Sequence, residues 1–348
     1  MPDLAVYWTA AARARGAEPL YRAEDGHYQF KYLPAFAVLT APGAAVSLET
    51  AKAVWFVASV LLLVALVTLS IAILPERRKA GWVLVTLTVI VMLKFYGHEL
   101  VLGQMNALFA VVVAGAVVAL KAGHEAAAGA LIALAVLVKP YAVIFLPWLV
   151  ARRRATAIAA AAIGAVALIA LPALVYGVHG DVELHRAWWQ TVRQSTAPNL
   201  TNADNVSIAA MWAKWIGTGL AATVLTAVTS AIVFGSAIFV FVRRRTVAFP
   251  EGLEAAFLLT CIPLLSPQGW DYVFLVSTPA VVFLVNYEDR LPAFIRFAAF
   301  AALATIGLTV YDLMGRVAYA AFMALSIISV CYFVVIGALC TLRARGTA

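Results

Sequence analysis

The chain has 348 residues, 64% of them hydrophobic and 12% charged, with a formal net charge of +8 and a mean hydropathy of +0.95. Soluble domains average about 45 to 50% apolar and about 25% charged residues, so an ordinary soluble globule is excluded and an all-α polytopic membrane protein is expected. The basic excess does not indicate nucleic-acid binding, because Lys and Arg sit in small clusters between apolar runs, where the positive-inside rule accounts for them.

Residues 1–36 lack the basic head and apolar core of a signal peptide, and residues 1–42 form the opening stretch. They combine Asp3, Tyr7, Trp8, Tyr21, Arg22, Glu24, Asp25, His27, Tyr28, Phe30, Lys31, Tyr32 and Pro34, a mixture suited to an interfacial segment that grips a ligand. Residues 1–49 are therefore expected to form an external loop. A polar start on the outer side needs a preceding helix or signal, so one upstream N-terminal helix is expected to be missing.

A spanning helix needs about 20 apolar residues. The first predicted span, 51–74, ends at Arg77-Arg78-Lys79, which marks the cytoplasmic side. The second, 81–96, returns outward to a short connection at Gly97-His98-Glu99, and the third, 103–120, reaches an inner turn at Lys121 and His124. The fourth, 126–138, ends outside at Lys139-Pro140. Residues 141–150 descend to Arg152-Arg153-Arg154, too short a run to cross alone, and read as half of a broken helix lining a cavity. The sixth span is 156–176. Residues 177–217 form a second external segment, with His185-Arg186-Ala187-Trp188-Trp189 as an interfacial amphipathic helix. The seventh span ends at Arg243-Arg244-Arg245, the eighth at Ser266-Pro267 and the ninth near Asn286, and the last two cover 291–309 and 317–342.

This count of about eleven helices over 50–342 puts every arginine cluster on one side, as correct parity would. Residues 1–348 are read as a single membrane-embedded domain. Cys261, Cys331 and Cys340 have no metal-ligand spacing and read as small buried residues. No carboxylate pair has a short spacing suited to a metal, and none is expected; nor is any cofactor.

The same topology gathers five groups of polar residues on the outer side: the opening segment, His98 to Asn106, Lys139-Pro140-Tyr141, Asn202 to Ser207, and Ser266 to Tyr272. Asp3 with Val6-Tyr7-Trp8, Tyr32-Leu33-Pro34, Gly103-Gln104 with Asn106, Lys139-Pro140-Tyr141, Asn205-Val206-Ser207, and Leu265-Ser266-Pro267 with Trp270 occur in an order and spacing that extends over nearly the whole chain. In these strings the chain resembles glycosyltransferase family 87, membrane enzymes of the GT-C fold related to polyprenol-phosphate-mannose-dependent mannosyltransferases. Two features depart from that family: the helix that usually precedes the acidic loop is missing, and Asp271 and Tyr272 stand where a histidine often follows the Ser-Pro-x-x-Trp string.

The resemblance implies an inverting hexosyltransferase with its active site on the external or periplasmic side of the cell (inner) membrane. It would move a hexose, mannose first among them, from a polyprenyl-phosphate sugar to a lipid-linked or envelope glycan acceptor. Asp3 is then the general base, the group that removes a proton from the attacking hydroxyl, although from position alone it would merely cap the following helix. Lys139, at a helix end, is assigned to the donor phosphate, and the competing reading is a lysine that snorkels to headgroups. Lys94 lies deeper, where a cation needs a partner or a wet cavity; it is the second candidate for the phosphate, with Glu99 as its natural partner or a second acid of the cleft.

Tyr7, Tyr32 and Tyr141 are assigned to substrate contacts, as are Asn205, Ser207, Gln268 and Asp271. Gln104 and Asn106 could hydrogen-bond sugar hydroxyls, or else cap the helix that follows them. Trp270 could stack on a sugar or prenyl chain, whereas belonging to an aromatic belt is the commoner role. No nucleotide-binding glycine loop is present, in keeping with a donor that arrives through the bilayer. Two other classes fit the composition: a transporter or flippase of lipid-linked substrates, which would show inverted repeats and polar groups near the midplane, and a membrane subunit without turnover.

Overall fold

The computed structural model describes residues 1–244 and 247–346; Arg245, the end of the third basic cluster, lies outside the described residues. The protein is all-helical and falls into two compact units. One comprises Met1–Ala65 with His98–Ala197, and the other Leu66–Gly97 with the described chain from Pro198 onward.

The first unit contains α1 (Pro2–Arg15), α2 (Pro34–Thr40), the start of α3 (Leu48–Ala72), the end of α4 (Gly81–Leu102), α5 (Asn106–Lys121), α6 (Glu125–Val138), α7 (Phe145–Ala151), α8 (Ala155–Ala170) and α9 (Ala173–Thr196). The opening segment, expected to be a loop, therefore starts with a helix of 14 residues. Pro2 suits its first position, where a missing N–H costs nothing. Leu4, Tyr7, Ala10, Ala11 and Ala14 then form one buried stripe at helical spacing.

The helices α6 and α8, rich in Ala and Gly, pack closely because small side chains let their backbones approach. A Cβ at Gly129 would run into the Ala157 carbonyl, and one at Gly164 would lie 2.7 Å from the Ala133 Cβ. After α8 the chain turns sharply, and the helices on either side of the break meet at 88°. Leu171 and Pro172 keep helical backbone angles, and the residue that leaves them is Gly177 (φ 71°, ψ 167°), a left-handed conformation that favours glycine. Although α8 itself ends at Ala170, the kink at Gly177 falls where the sixth span was expected to give way to the second external segment. In α4, by contrast, helix continues through Gly97, His98 and Glu99, where a connection was expected, and the turn comes at Gly103.

The second unit contains the end of α3, the start of α4, and α10 (Ile208–Ile216), α11 (Leu220–Val242), α12 (Pro250–Leu265), α13 (Thr278–Asn286), α14 (Ala293–Leu308), α15 (Tyr311–Met314), α16 (Arg316–Ala324) and α17 (Ile327–Ala344). Its core is built around α12, in which residues 250–264 are all buried. Glu254 of α12 meets Arg343 of α17 at 3.4 Å with both side chains fully buried, and Arg343 also donates to the Pro250 carbonyl at 2.9 Å. The predicted last span is divided at Ser326, whose left-handed backbone (φ 53°) separates α16 from α17.

By length and composition α3, α4, α11 and α17 can each cross a membrane, and the bent α8–α9 pair makes a fifth if it counts as one span. Shorter apolar helices, α5, α6 and α14 among them, stand where other spans are predicted. With 25 residues, α3 is about 37 Å long, more than the hydrocarbon core of about 30 Å. It exposes Val54, Val57, Leu61 and Val64, side chains that lipid, not water, accommodates.

Candidate functional site

In the first unit the site starts from Gly103, whose φ of +71° only glycine adopts without strain. A Cβ there would lie 2.9 Å from the Cβ atoms of both Met1 and Leu4. Absence of that atom lets the first turn of α1 rest directly on the bend between α4 and α5.

The contact brings Gln104 against the face of α1 that carries Asp3 and Tyr7, one helical turn apart. The Gln104 amide donates to Asp3 Oδ2 at 2.6 Å, while its own oxygen accepts from the Tyr7 hydroxyl at 3.1 Å. Tyr7 and Tyr32 share a further hydroxyl contact of 2.9 Å, and their rings meet edge to face at 4.9 Å. The segment carrying Tyr32 is itself fixed: Tyr21 donates to the Tyr32 carbonyl at 2.7 Å, and the Trp188 indole to that of Lys31 at 3.1 Å.

Lys139 reaches the same cluster from the end of α6. Pro140 drives the residue before it into extended backbone, so Lys139 (φ −145°, ψ 116°) ends the helix. Its buried ammonium lies 5.3 Å from the centre of the Tyr32 ring and 5.8 Å from that of Tyr141, within cation–π range. Among the described residues no carboxylate is within ion-pair distance of it. Burial pulls its pKa down to about 8, against the opposing charges of Glu99 and Asp3. Burial also raises the pKa of Asp3 above the usual carboxylate range, opposed first by the Gln104 hydrogen bond and then by Lys139 and His27.

Glu99 is wholly buried and serves the start of α5, accepting from the Ala107 N–H at 2.7 Å and from the Asn106 amide at 2.9 Å. Its partners are thus those of α5 and not Lys94, for which it was expected to be the natural partner. Five positions along a helix place two side chains about 140° apart. The partner of Lys94 is Asp271, in the second unit, at 2.9 Å with both side chains buried; the Tyr319 ring centre lies 5.0 Å from the same ammonium.

The other residues singled out from the sequence also belong to the second unit. The amide of Asn205 donates to the carbonyls of Asn199 and Pro267, each at 3.0 Å, and its oxygen accepts from the Ser207 N–H at 3.1 Å. Ser207 caps α10, its hydroxyl accepting from the Ala210 N–H at 3.1 Å. Backbone bonds from Val206 to Gly269 (2.7 Å) and from Asp271 to Asp204 (3.0 Å) join this loop to the segment holding Gln268 and Trp270, both half-buried. The side chains of Asn205 and Ser207, expected to face a sugar, thus serve the loop itself.

Sequence reasoning gave no site role to Lys31, Lys214 or the Arg13–Asp25 pair. Lys31 is half-buried, and its lowered pKa comes from burial, opposed by the charge of Asp3; its adjacency to Tyr32 is the signal that could have found it. Lys214 donates to the carbonyls of Ala203 and Asn205 at 2.7 Å. Burial lowers its pKa to about 8. Arg13 grips Asp25 with two bonds of 2.6 and 2.8 Å, a pairing across twelve residues that no periodicity announces.

A family model, glycosyltransferase family 87, matches residues 30–267. No curated protein matches the chain. The match takes in Tyr32, Lys94, Glu99, Gln104, Asn106, Lys139, Tyr141, Asn205 and Ser207, whereas Asp3 and Tyr7 precede it and Gln268, Trp270 and Asp271 follow it.

Proposed function

The chain belongs to glycosyltransferase family 87, and from that membership we propose that it transfers a hexose, mannose in the first instance, from a polyprenyl monophosphate to a lipid-linked or envelope glycan. The reaction is a single displacement at the outer face of the cell membrane. The acceptor oxygen attacks the anomeric carbon, Asp3 takes its proton, and the polyprenyl phosphate leaves with the electron pair of the broken bond, inverting the configuration. A phosphate leaving group needs no protonation, so one base and one cation are enough.

The observation that carries this reading is the continuous set Asp3–Gln104–Tyr7–Tyr32 with the Lys139 ammonium over the Tyr32 ring. A raised carboxylate pKa brings the base nearer to the working pH, where general-base catalysis is most efficient. A buried ammonium with no carboxylate within ion-pair distance among the described residues suits an incoming anion. The test is transfer from radiolabelled polyprenyl-phosphate mannose by protein reconstituted with a lipid acceptor extract, with the anomeric configuration of the product determined. Labelled donor that crosses the vesicle membrane without forming product would favour a flippase instead.

A further inference from the structure

The first unit holds a pocket of about 340 Å³ on a different face of α1 from the Tyr7 stripe. One wall is formed by Val6, Thr9 and Arg13, and the other by Asp25, Tyr28 and Phe30. Pro2 also lines it, so the pocket extends to the residue next to Asp3, one Cα spacing of about 3.8 Å away. Its volume is at the small end of the range for ligand sites, about 300 to 1,000 Å³.

The chemistry of the walls narrows the ligand. Tyr28 is 56% exposed, and its ring offers an apolar face beside Phe30 with a polar tip. Thr9 is exposed, and its hydroxyl makes no hydrogen bond among the described residues. Arg13 keeps the Asp25 carboxyl below its usual range, hence charged at neutral pH. Its two oxygens accept only the Arg13 bonds, about half of the capacity of an ionised carboxylate. A prenyl chain would leave those acceptors and the Thr9 hydroxyl facing hydrocarbon at a desolvation cost. A sugar ring satisfies both walls, its C–H face on the aromatic side and its hydroxyls on Thr9 and Asp25.

We infer that this pocket binds the saccharide of the acceptor, a unit of one or two hexoses whose reactive hydroxyl is delivered past Pro2 to Asp3. The inference rests on the glycosyl-transfer reading for the identity of the acceptor, but saccharide binding by the pocket can be measured without any donor.

The experiment uses the full chain in lipid nanodiscs free of glycoside detergent, with mannobiose as probe, followed by saturation-transfer NMR. Thr9→Trp fills the pocket and Tyr28→Ala removes its platform, and both positions are exposed enough to spare the fold. Expected are mannobiose binding by the parent, at least tenfold weaker binding by each variant, and a matching rise in acceptor KM at unchanged donor KM. A parent that does not bind mannobiose, or variants that bind it and use acceptor as the parent does, would overturn the pocket. Binding that both variants lose in a protein with no transfer from polyprenyl phosphate would keep the pocket and remove the donor assignment.

Discussion

The amide of Gln104 donates to Asp3 Oδ2 across 2.6 Å, although 101 residues separate the two in the chain. Hydrogen bonding to a carboxylate favours its charged form, and burial opposes it. Here burial is the larger influence. Asp3 is held in one orientation by a group that cannot itself take a proton, and Oδ1 makes no hydrogen bond among the described residues. That oxygen is the one that the proposed reaction would use to take the proton of an acceptor hydroxyl.

Asp3→Asn keeps the size of the side chain and removes the proposed base. Turnover should fall by about two to four orders of magnitude while donor binding persists, measured as kcat and as donor affinity in separate experiments. Transfer at the parent rate would move the role of base to another acid.

Gln104→Met should act through Asp3 and not on the substrate. Losing the hydrogen bond removes an influence that lowers the Asp3 pKa, so the rising acid limb of the kcat profile should move to higher pH. Turnover at neutral pH should drop by about tenfold, in line with the loss of a bond worth about 1.5 kcal/mol to a charged group. A merely structural glutamine would lower the amount of active enzyme and leave the position of the limb unchanged.

The proposed phosphate contact of Lys139 predicts an opposite limb, in donor affinity. With its pKa at about 8, the ammonium is charged below that pH and neutral above it, so donor affinity should be present at pH 7 and decline as the pH rises through 8. Lys139→Met should bind donor weakly across the range, whereas Lys139→Arg, charged throughout, should abolish the decline. Donor affinity that is constant from pH 7 to pH 9.5 in the parent would reduce Lys139 to an anchor at a helix end.

How far such assignments could be read from the sequence depended on whether the controlling interaction is local. Pro140 after Lys139 announces the end of α6 by itself, and the apolar runs announce α3 and α11. The helix over the first 15 residues was missed because its alanines bury only a narrow stripe, and the polar residues after it dominate the segment. The connection expected at Gly97-His98-Glu99 is helical: Glu99 finds its partners seven and eight residues on, in the Asn106 amide and the Ala107 N–H at the start of α5, so the turn falls at Gly103 and not at the polar triplet itself. Lys94 was paired with the nearest acid in sequence when its partner lies on a segment 177 residues away (271 − 94).

Gly103 and Gly123 separate backbone strain from contact. Both have positive φ, +71° and +82°, but a Cβ at Gly123 would meet nothing within 4 Å. Alanine at either should cost about 1 to 2 kcal/mol for the left-handed backbone, and at Gly103 about 1 to 3 kcal/mol more for the clash with Met1 and Leu4. Gly103→Ala should therefore melt lower than Gly123→Ala in nanodiscs and lose transfer activity, because α1 must lift off the turn that orients Asp3. Equal melting and equal activity would mean that the close approach does not matter.

The pairing of Lys94 with Asp271 decides which of two roles Lys94 has. Were it a phosphate ligand, Lys94→Met would weaken donor binding with little loss of stability, and Asp271→Asn would strengthen donor binding by freeing the ammonium. The geometry instead gives a buried pair at 2.9 Å with each side chain 2% exposed. Breaking such a pair from one side leaves a charge in a low-dielectric setting and costs about 3 to 5 kcal/mol, whereas replacing both members is often close to neutral. Lys94→Met and Asp271→Asn should each melt well below the parent, and combining Lys94→Met with Asp271→Leu should recover most of the loss. Donor affinity, read from the fraction that remains folded, should hold within about threefold in all three variants, a change of only about 0.65 kcal/mol. Single variants that melt like the parent and bind donor tenfold more weakly would return Lys94 to the phosphate.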